Sequence, residues 1–158
     1  MAPKLGVNLQ MKIYNNELLG IFSVQEVLSI ALKIELTNAM LILPIMFHKK
    51  SLDYLAHKRT NTLSFQELLL SKPELIVSIN KRFYNFLPPS INCISLCIEN
   101  EIAELDQGTL TFKKKLILDD AIPFIGKRAS KIQAASLNIA RLISEESRSI
   151  YDICGVRL

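Results

Sequence analysis

The sequence predicts a mainly α-helical protein with one small β-hairpin, compact and winged helix-like in outline. Hydrophobic residues make up 49% of the 158 residues, while Gly occurs only five times and Trp is absent. This composition favours packed helices over a turn-rich β-sandwich. Capping signals and apolar stripes at helical spacing recur along the chain. A period-two pattern, typical of a strand, follows Gly108.

A chain of this length forms one domain. We therefore interpret residues 1–158 as a single domain made of four parts. These are an irregular N-terminus (1–12), a helical core (13–105), a basic hairpin (108–118) and C-terminal helices (122–158).

The first helix is predicted from the segment "YNNELLGIFSVQEVLSIALKIEL". Asn15 or Asn16 can cap it, because an asparagine side chain accepts a free amide of the first turn. Ser23 and Glu26 form a rival capping box that would start a new helix at Val24. Apolar residues surround the whole segment, which indicates a buried helix.

The next segment, "LTNAMLILPIMFHKK", holds the longest apolar run of the chain. Thr37 and Asn38 can cap a helix through Phe47. Pro44 removes a backbone amide, so we expect it to break this helix and turn "FHKK" toward a partner or solvent. The run is far shorter than the ~20 residues that a membrane span needs.

Four more helices follow before the hairpin. Ser51 can cap the short helix "LDYLAHKR", and Ser64 with Glu67 and Ser71 with Glu74 form two further capping boxes. The second box starts a helix through Pro73 that Pro88 and Pro89 are expected to stop. A separate helix is then predicted from Ile91 to Leu105.

The pattern changes at "TLTFKKKLIL", which predicts a hairpin with Lys113, Lys114 and Lys115 near its tip. A long helix from Ile125 to Ser144 follows. Ser149 can cap a last turn that Gly155 closes.

The motifs of common enzymes are missing. The sequence contains no glycine-rich phosphate loop, no G-x-S-x-G elbow and no H-E-x-x-H helix. His48, Asp53 and His57 have no spacing that would make them converge on a metal or a substrate. Cys93 and Cys97 share a helix face without a second ligand pair, so core packing is the simpler interpretation. We therefore expect no enzymatic activity and no cofactor.

Three cysteines (Cys93, Cys97 and Cys154) show no disulfide framework, which favours a reducing compartment. The N-terminus shows no apolar core of signal-peptide length. We expect the protein to be cytoplasmic.

Basic residues form the main candidate for a binding surface. At 100° per residue, Lys127, Lys131, Asn138 and Arg141 share one side of the last long helix, away from its apolar stripe. The predicted contacts to DNA phosphates or to an acidic protein partner are Lys113, Lys114, Lys115, Lys127, Arg128, Lys131 and Arg141. An ordinary solvated face is the alternative, since the net charge is only +4.

Three strings in order, "YNNELLG", "LILPIMFHKKSLDYL" and "IYDICGVRL", resemble a known family. They are similar to the middle component of bacterial three-component ABC-ATPase conflict systems, the Lamassu-type anti-phage and anti-plasmid defence family. The resemblance spans nearly the whole chain. Family members often close with Arg-Pro, whereas here Leu158 follows Arg157.

The resemblance implies a non-enzymatic subunit that bridges an SMC/Rad50-like ATPase, expected to be dimeric, and an effector nuclease. It would keep the effector inactive until foreign DNA is sensed. The candidate partner contacts are drawn from the three strings: Tyr14, Asn15, Asn16, His48, Lys49, Lys50 and Arg157.

Two other hypotheses stay open at this point. An autonomous winged helix-like DNA-binding regulator would use the lysines of the hairpin and of the last long helix. A small hydrolase would use His48 or His57. No small-molecule substrate and no membrane contact is predicted.

Overall fold

The structure, a computed structural model, describes residues 15–62 and 64–157. The predicted irregular N-terminus (1–12), Tyr14 and Leu158 lie outside these residues, as do the side chains of Asn15 and Asn16. The helices are α1 (Asn15–Ala31), α2 (Leu36–Ala39), α3 (Ile42–Met46), α4 (Lys49–Ala56), α5 (Phe65–Ser71), α6 (Pro73–Val77), α7 (Ile79–Glu99), α8 (Ile122–Ile125), α9 (Lys127–Leu142) and α10 (Ser147–Cys154). The strands are β1 (Lys33–Glu35), β2 (Ala103–Asp106) and β3 (Thr109–Phe112).

The predicted fold class is confirmed: helices dominate and the strands form one small antiparallel sheet in the order β1–β3–β2. The middle strand β3 pairs Leu110 with Ile34 of β1 on one side and with Leu105 of β2 on the other. The winged helix-like outline stays a prediction.

The hairpin lies earlier in the chain than the predicted range 108–118. Its tip is the pair Gln107–Gly108, and both residues have positive φ (48° and 77°), as a two-residue turn of the primed types requires. The predicted second strand does not form, because Gln25 Oε1 accepts the amides of Leu116 and Ile117 at 2.8 and 2.9 Å. The three lysines therefore follow β3 and do not lie at the tip.

Helix α1 is the centre of the core and packs against α7 and α9. Phe22, Val24, Val27 and Leu28 in it are completely buried. The rival helix start at Val24 is wrong, since the Ser23 hydroxyl lies inside α1 and donates to the Leu19 carbonyl at 2.7 Å.

The predicted break near Pro44 is confirmed. The chain leaves the helical conformation twice, once between α2 and α3, before the proline, and again after Met46. A helix continuing from α2 would need the missing Pro44 amide to bond the Met40 carbonyl, and the ring would clash there. Pro44 instead lies in the first turn of α3, where a backbone amide would have no partner within the helix. The "FHKK" corner does turn outward: Phe47 is half-buried, and Lys49 and Lys50 are exposed.

Three predicted caps in this region are wrong. Thr37 and Asn38 both lie inside α2, whose N-terminal cap position is Glu35, and Asn38 is buried there. Ser51 lies inside α4, where the cap residue is His48, and the His48 Nδ1 and Ser51 Oγ atoms are 2.7 Å apart.

Helix α5 begins as predicted, with Ser64 Oγ accepting the Glu67 amide at 3.0 Å. The second predicted capping box, Ser71 with Glu74, is wrong. Ser71 is the last residue of α5, and its hydroxyl donates to the Glu67 carbonyl. The cap position of α6 is Lys72, which precedes Pro73.

The predicted stop at Pro88 and Pro89 is also wrong, because α7 continues through both prolines. Both prolines are exposed, while Phe83 before them and Cys97 after them anchor the buried side of α7. Core packing along the buried side thus outweighs the missing amides. Helix α7 ends at Glu99 and not at Leu105, since Glu101 has φ 61° and the chain then enters β2.

At the C-terminal end, Gly126 with φ 123° separates α8 from α9, so the predicted helix from Ile125 to Ser144 is shorter. Helix α10 starts at Ser147, which places Ser149 inside it, whereas the predicted close at Gly155 (φ 68°) is confirmed. Across residues 15–62 and 64–157, no helix combines the length and the apolar character needed to cross a membrane.

Candidate partner-binding site

An apolar groove of about 290 Å³ opens where α1, α3 and α7 meet the start of α9. Leu43, Phe47, Phe86, Pro89 and Cys93 line it, and Glu17 and Arg128 stand at its rim. We call it the α1–α7 groove. The Phe47 and Phe86 rings lie 5.8 Å apart between centroids, and the Arg128 guanidinium lies 5.1 Å above the Phe47 ring.

Local sequence explains why the groove is open. The break after Met46 brings Phe47 to the surface, and the continuation of α7 through its prolines presents Phe86 and Pro89 beside it. Gly20 lets α1 approach α7 closely, because a Cβ there would lie 2.5 Å from the Cys93 Sγ atom.

Basic residues from α4 and α9 meet next to the groove. Asp53 accepts from Lys131 at 2.5 Å and from Lys49 at 2.6 Å, which joins the two helices. These hydrogen bonds, first from Lys131 and then from Lys49, lower the pKa of Asp53 to about 2. We define the basic corner as Lys49, Lys50, Lys127, Arg128 and Lys131. Asp53 balances only part of this charge, so the corner stays positive.

The two histidines have separate partners. Burial, Arg82 and Lys50 lower the pKa of His48, whose ring contacts Ser51. His57 accepts the Arg59 amide at 3.2 Å. The described part of the chain holds no group of three or more His, Cys, Asp or Glu residues placed to bind a metal.

The other predicted basic contacts lie apart from the basic corner. Lys113 pairs with Glu104 at 2.6 Å and Lys114 with Glu101 at 3.1 Å. Lys115 contacts the buried Glu26 at 3.3 Å. Burial opposes the charge of Lys115, but Glu26 and Asp119 outweigh burial and raise the pKa of the lysine.

The predicted basic side of α9 is not a continuous exposed face. Asn138 on this side is buried against α4, where it donates to the carbonyls of Leu55 and Thr60. Arg141 lies beyond it and donates to Asn61 at 2.6 Å. Helical spacing correctly placed these residues on one side, but it did not show that α4 covers the middle of it.

The C-terminal string lies along the first turns of α7. The Tyr84 hydroxyl contacts both the carbonyl and the amide of Arg157, and Asn80 donates to the Gly155 carbonyl at 2.5 Å. Sequence reasoning missed Phe86, Pro89 and Cys93 as groove residues. The interpretation of Pro88 and Pro89 as a helix stop divides α7 into two helices. It therefore does not place Phe86, Pro89 and Cys93 on one continuous helix.

Comparison with known protein families shows the family to which this chain belongs. Residues 29–158 match the family described as MC3, ABC-three component (ABC-3C) system Middle Component 3. The chain belongs to this family. No curated protein and no solved structure matches it.

Membership of the MC3 family confirms the predicted middle component of a three-component ABC system, and it implies partners in a complex. The matched range includes the second and third strings of the resemblance and begins after the first, "YNNELLG". The first and second strings are in contact in the fold. A Cβ placed on Gly20 of the first string would lie 3.5 Å from the side chain of Leu43 in the second.

Proposed function

We propose that this chain is the non-enzymatic bridging subunit of a cytoplasmic bacterial defence complex against phages and plasmids. It links an SMC/Rad50-like ATPase to an effector such as a nuclease and restrains the effector until DNA is sensed. The observation that carries the proposal is the α1–α7 groove, in which two of the three family-like strings meet beside the basic corner.

The groove has the properties of an anchor pocket at a protein interface. Its floor is apolar and aromatic, and a planar guanidinium covers one wall. Interface energy concentrates where aromatic or aliphatic side chains fill such pockets and charged residues surround them. A partner segment that fits would insert an apolar side chain and place an acidic residue against Arg128.

The thiols support a structural role for the cysteines. Burial, with Glu17 nearby, raises the pKa of Cys93 to about 12, and burial raises the pKa of Cys154 to about 12. A thiol that stays protonated at neutral pH is a poor nucleophile.

The autonomous DNA-binding regulator has weaker support. Lys113, Lys114 and Lys115 each contact a carboxylate, which reduces the charge that they can offer to phosphates. Lys49 and Lys131 of the basic corner are likewise paired with Asp53. Phosphate contact within the complex would therefore use Lys50, Lys127 and Arg128, which form no ion pair with a described residue.

The test is co-purification with the ATPase and the effector encoded beside this chain. Wild type should retain both proteins, and Arg128→Glu should lose at least one of them, since it reverses the charge at the groove rim. Arg148→Glu is the matched control, because it reverses an exposed arginine on α10, outside the groove lining and the basic corner, and should retain both. Equal retention by all three forms of the chain would reject the groove as the partner site. Failure of wild type to bind either protein would reject the bridging role.

A further inference from the structure

The outer edge of β1 offers backbone groups that have no partner. Phe112 donates to the Leu32 carbonyl and Leu36 donates to the Gly108 carbonyl, both at 2.8 Å, so residues 32, 34 and 36 face β3. Residues in between turn their backbone groups to the other side of an antiparallel strand. The amides of Lys33 and Glu35 and the Lys33 carbonyl therefore point outward, and no residue of 15–62 or 64–157 bonds them.

A recess of about 230 Å³ lies beside this edge. Its lining includes β1, Asn38 of α2, and Ile143 and Glu145 just beyond α9. The side chains of Lys33 and Glu35 are exposed, whereas Ile34 between them is buried. An added strand would thus meet a polar row on one face and an apolar residue on the other.

Asn38 forms part of the wall of this recess. It is 2% exposed, and its Nδ2 donates to the carbonyls of Ile143 and Glu145, both at 2.9 Å. Its Oδ1 has no hydrogen-bond partner among the described residues. This oxygen is closed to solvent, so Asn38 shapes the wall of the recess and does not itself offer an acceptor to an occupant.

The charges of the recess define that occupant further. Glu35 accepts from the Ser147 hydroxyl, and Glu145 accepts from the Phe65 amide, so both carboxylates use neutral donors. Among the described residues that line the recess, Lys33 is the single cation. The recess therefore favours a segment with a lysine or arginine.

We infer that the free edge of β1 is a strand-addition site for an extended segment of a partner subunit, with a basic residue near Glu35 and Glu145. Main-chain hydrogen bonds to a sheet edge are a general mode of peptide recognition. The occupant is assigned to a partner subunit, and this rests on the proposed function.

Glu35 allows a precise test, because its φ of −60° and ψ of 138° already suit proline. Glu35→Pro removes the outward amide and places a ring where the added strand would lie. Glu35→Ala is the matched control: it also loses the contact with Ser147 but keeps the amide. Each variant is co-expressed with the ATPase and the effector encoded beside this chain, and the retained partners are quantified.

We expect Glu35→Pro to retain roughly tenfold less of one partner than Glu35→Ala does, since a lost edge bond and a steric clash together weaken binding. Equal retention by the two variants would overturn the inference while wild-type binding still supports the bridging role. If wild type itself binds neither protein, both proposals fall.

Hydrogen exchange on the wild-type complex gives a readout that does not depend on the folding of a variant. The amides of Lys33 and Glu35 should exchange more slowly in the complex than in the free chain. Unchanged exchange would overturn the inference. A wild-type homodimer that Glu35→Pro dissociates would assign the edge to a second copy and so overturn the partner assignment.

Discussion

The Arg82 side chain of α7 donates from Nε to the Pro44 carbonyl of α3 across 2.9 Å. The same guanidinium donates to the Leu75 carbonyl at 3.3 Å and to the Ser78 hydroxyl. One half-buried arginine thus joins the second family-like string to the end of α6 and to the helix that carries the groove. Burial lowers the pKa of this arginine.

Arg82→Met should lower the free energy of unfolding by about 2 kcal/mol, because it removes charged hydrogen bonds that join α7 to the carbonyls of two other helices. Urea unfolding followed by circular dichroism measures the change. Lys81→Met is the control, since Lys81 is exposed and adjacent, and it should change stability by less than about 0.5 kcal/mol. Similar losses for both variants would contradict this role of Arg82.

Gly20→Ala should lower the free energy of unfolding by about 1–3 kcal/mol, since the new Cβ would lie 2.5 Å from the Cys93 sulfur. In a Cys93→Ala background the same change should cost much less, because the sulfur is gone. A double-mutant cycle with urea unfolding measures this coupling. Additive effects would show that α1 and α7 do not meet at this pair.

The three cysteines should react with a thiol reagent only after unfolding. Cys93, Cys97 and Cys154 are buried free thiols, and burial raises the pKa of each. At pH 8 the native protein should react much more slowly than the protein in denaturant. Fast modification of any one cysteine in the native state would contradict the packing of α7 or α10.

The Asp53 carboxylate should add a small acid-sensitive contribution to stability. Its pKa is lowered from 3.8 to about 2 by Lys131 and then by Lys49, so its contribution is present above pH 4 and is lost as the pH falls toward 2. Urea unfolding at pH 5, 4 and 3 should show a smaller loss of stability for Asp53→Asn than for wild type. Parallel pH curves would mean that the carboxylate does not hold α4 to α9.

The sequence was a good guide to elements whose signal is local. The Ser64 cap, the Gly155 helix end and the break near Pro44 depend on residues within one helical turn, and the structure confirms them. The family-like strings predicted the middle component, and the match over 29–158 confirms it.

Elements decided by distant contacts were predicted less well. The strand expected after the lysines is replaced by loop because Gln25, far away in sequence, takes the amides of Leu116 and Ile117. Helix α7 continues through Pro88 and Pro89 because its buried side packs on α1 and α3. The α1–α7 groove needs three elements at once, so no single string predicts it.

The most direct test of the central claim is the native mass of the assembly purified through a tag on this chain, after co-expression with the ATPase and the effector encoded beside it. The bridging role predicts one complex that contains all three proteins, together with loss of the ATPase–effector association when this chain is omitted. An ATPase–effector complex that forms equally well without this chain, or a tagged chain that purifies alone, would contradict it.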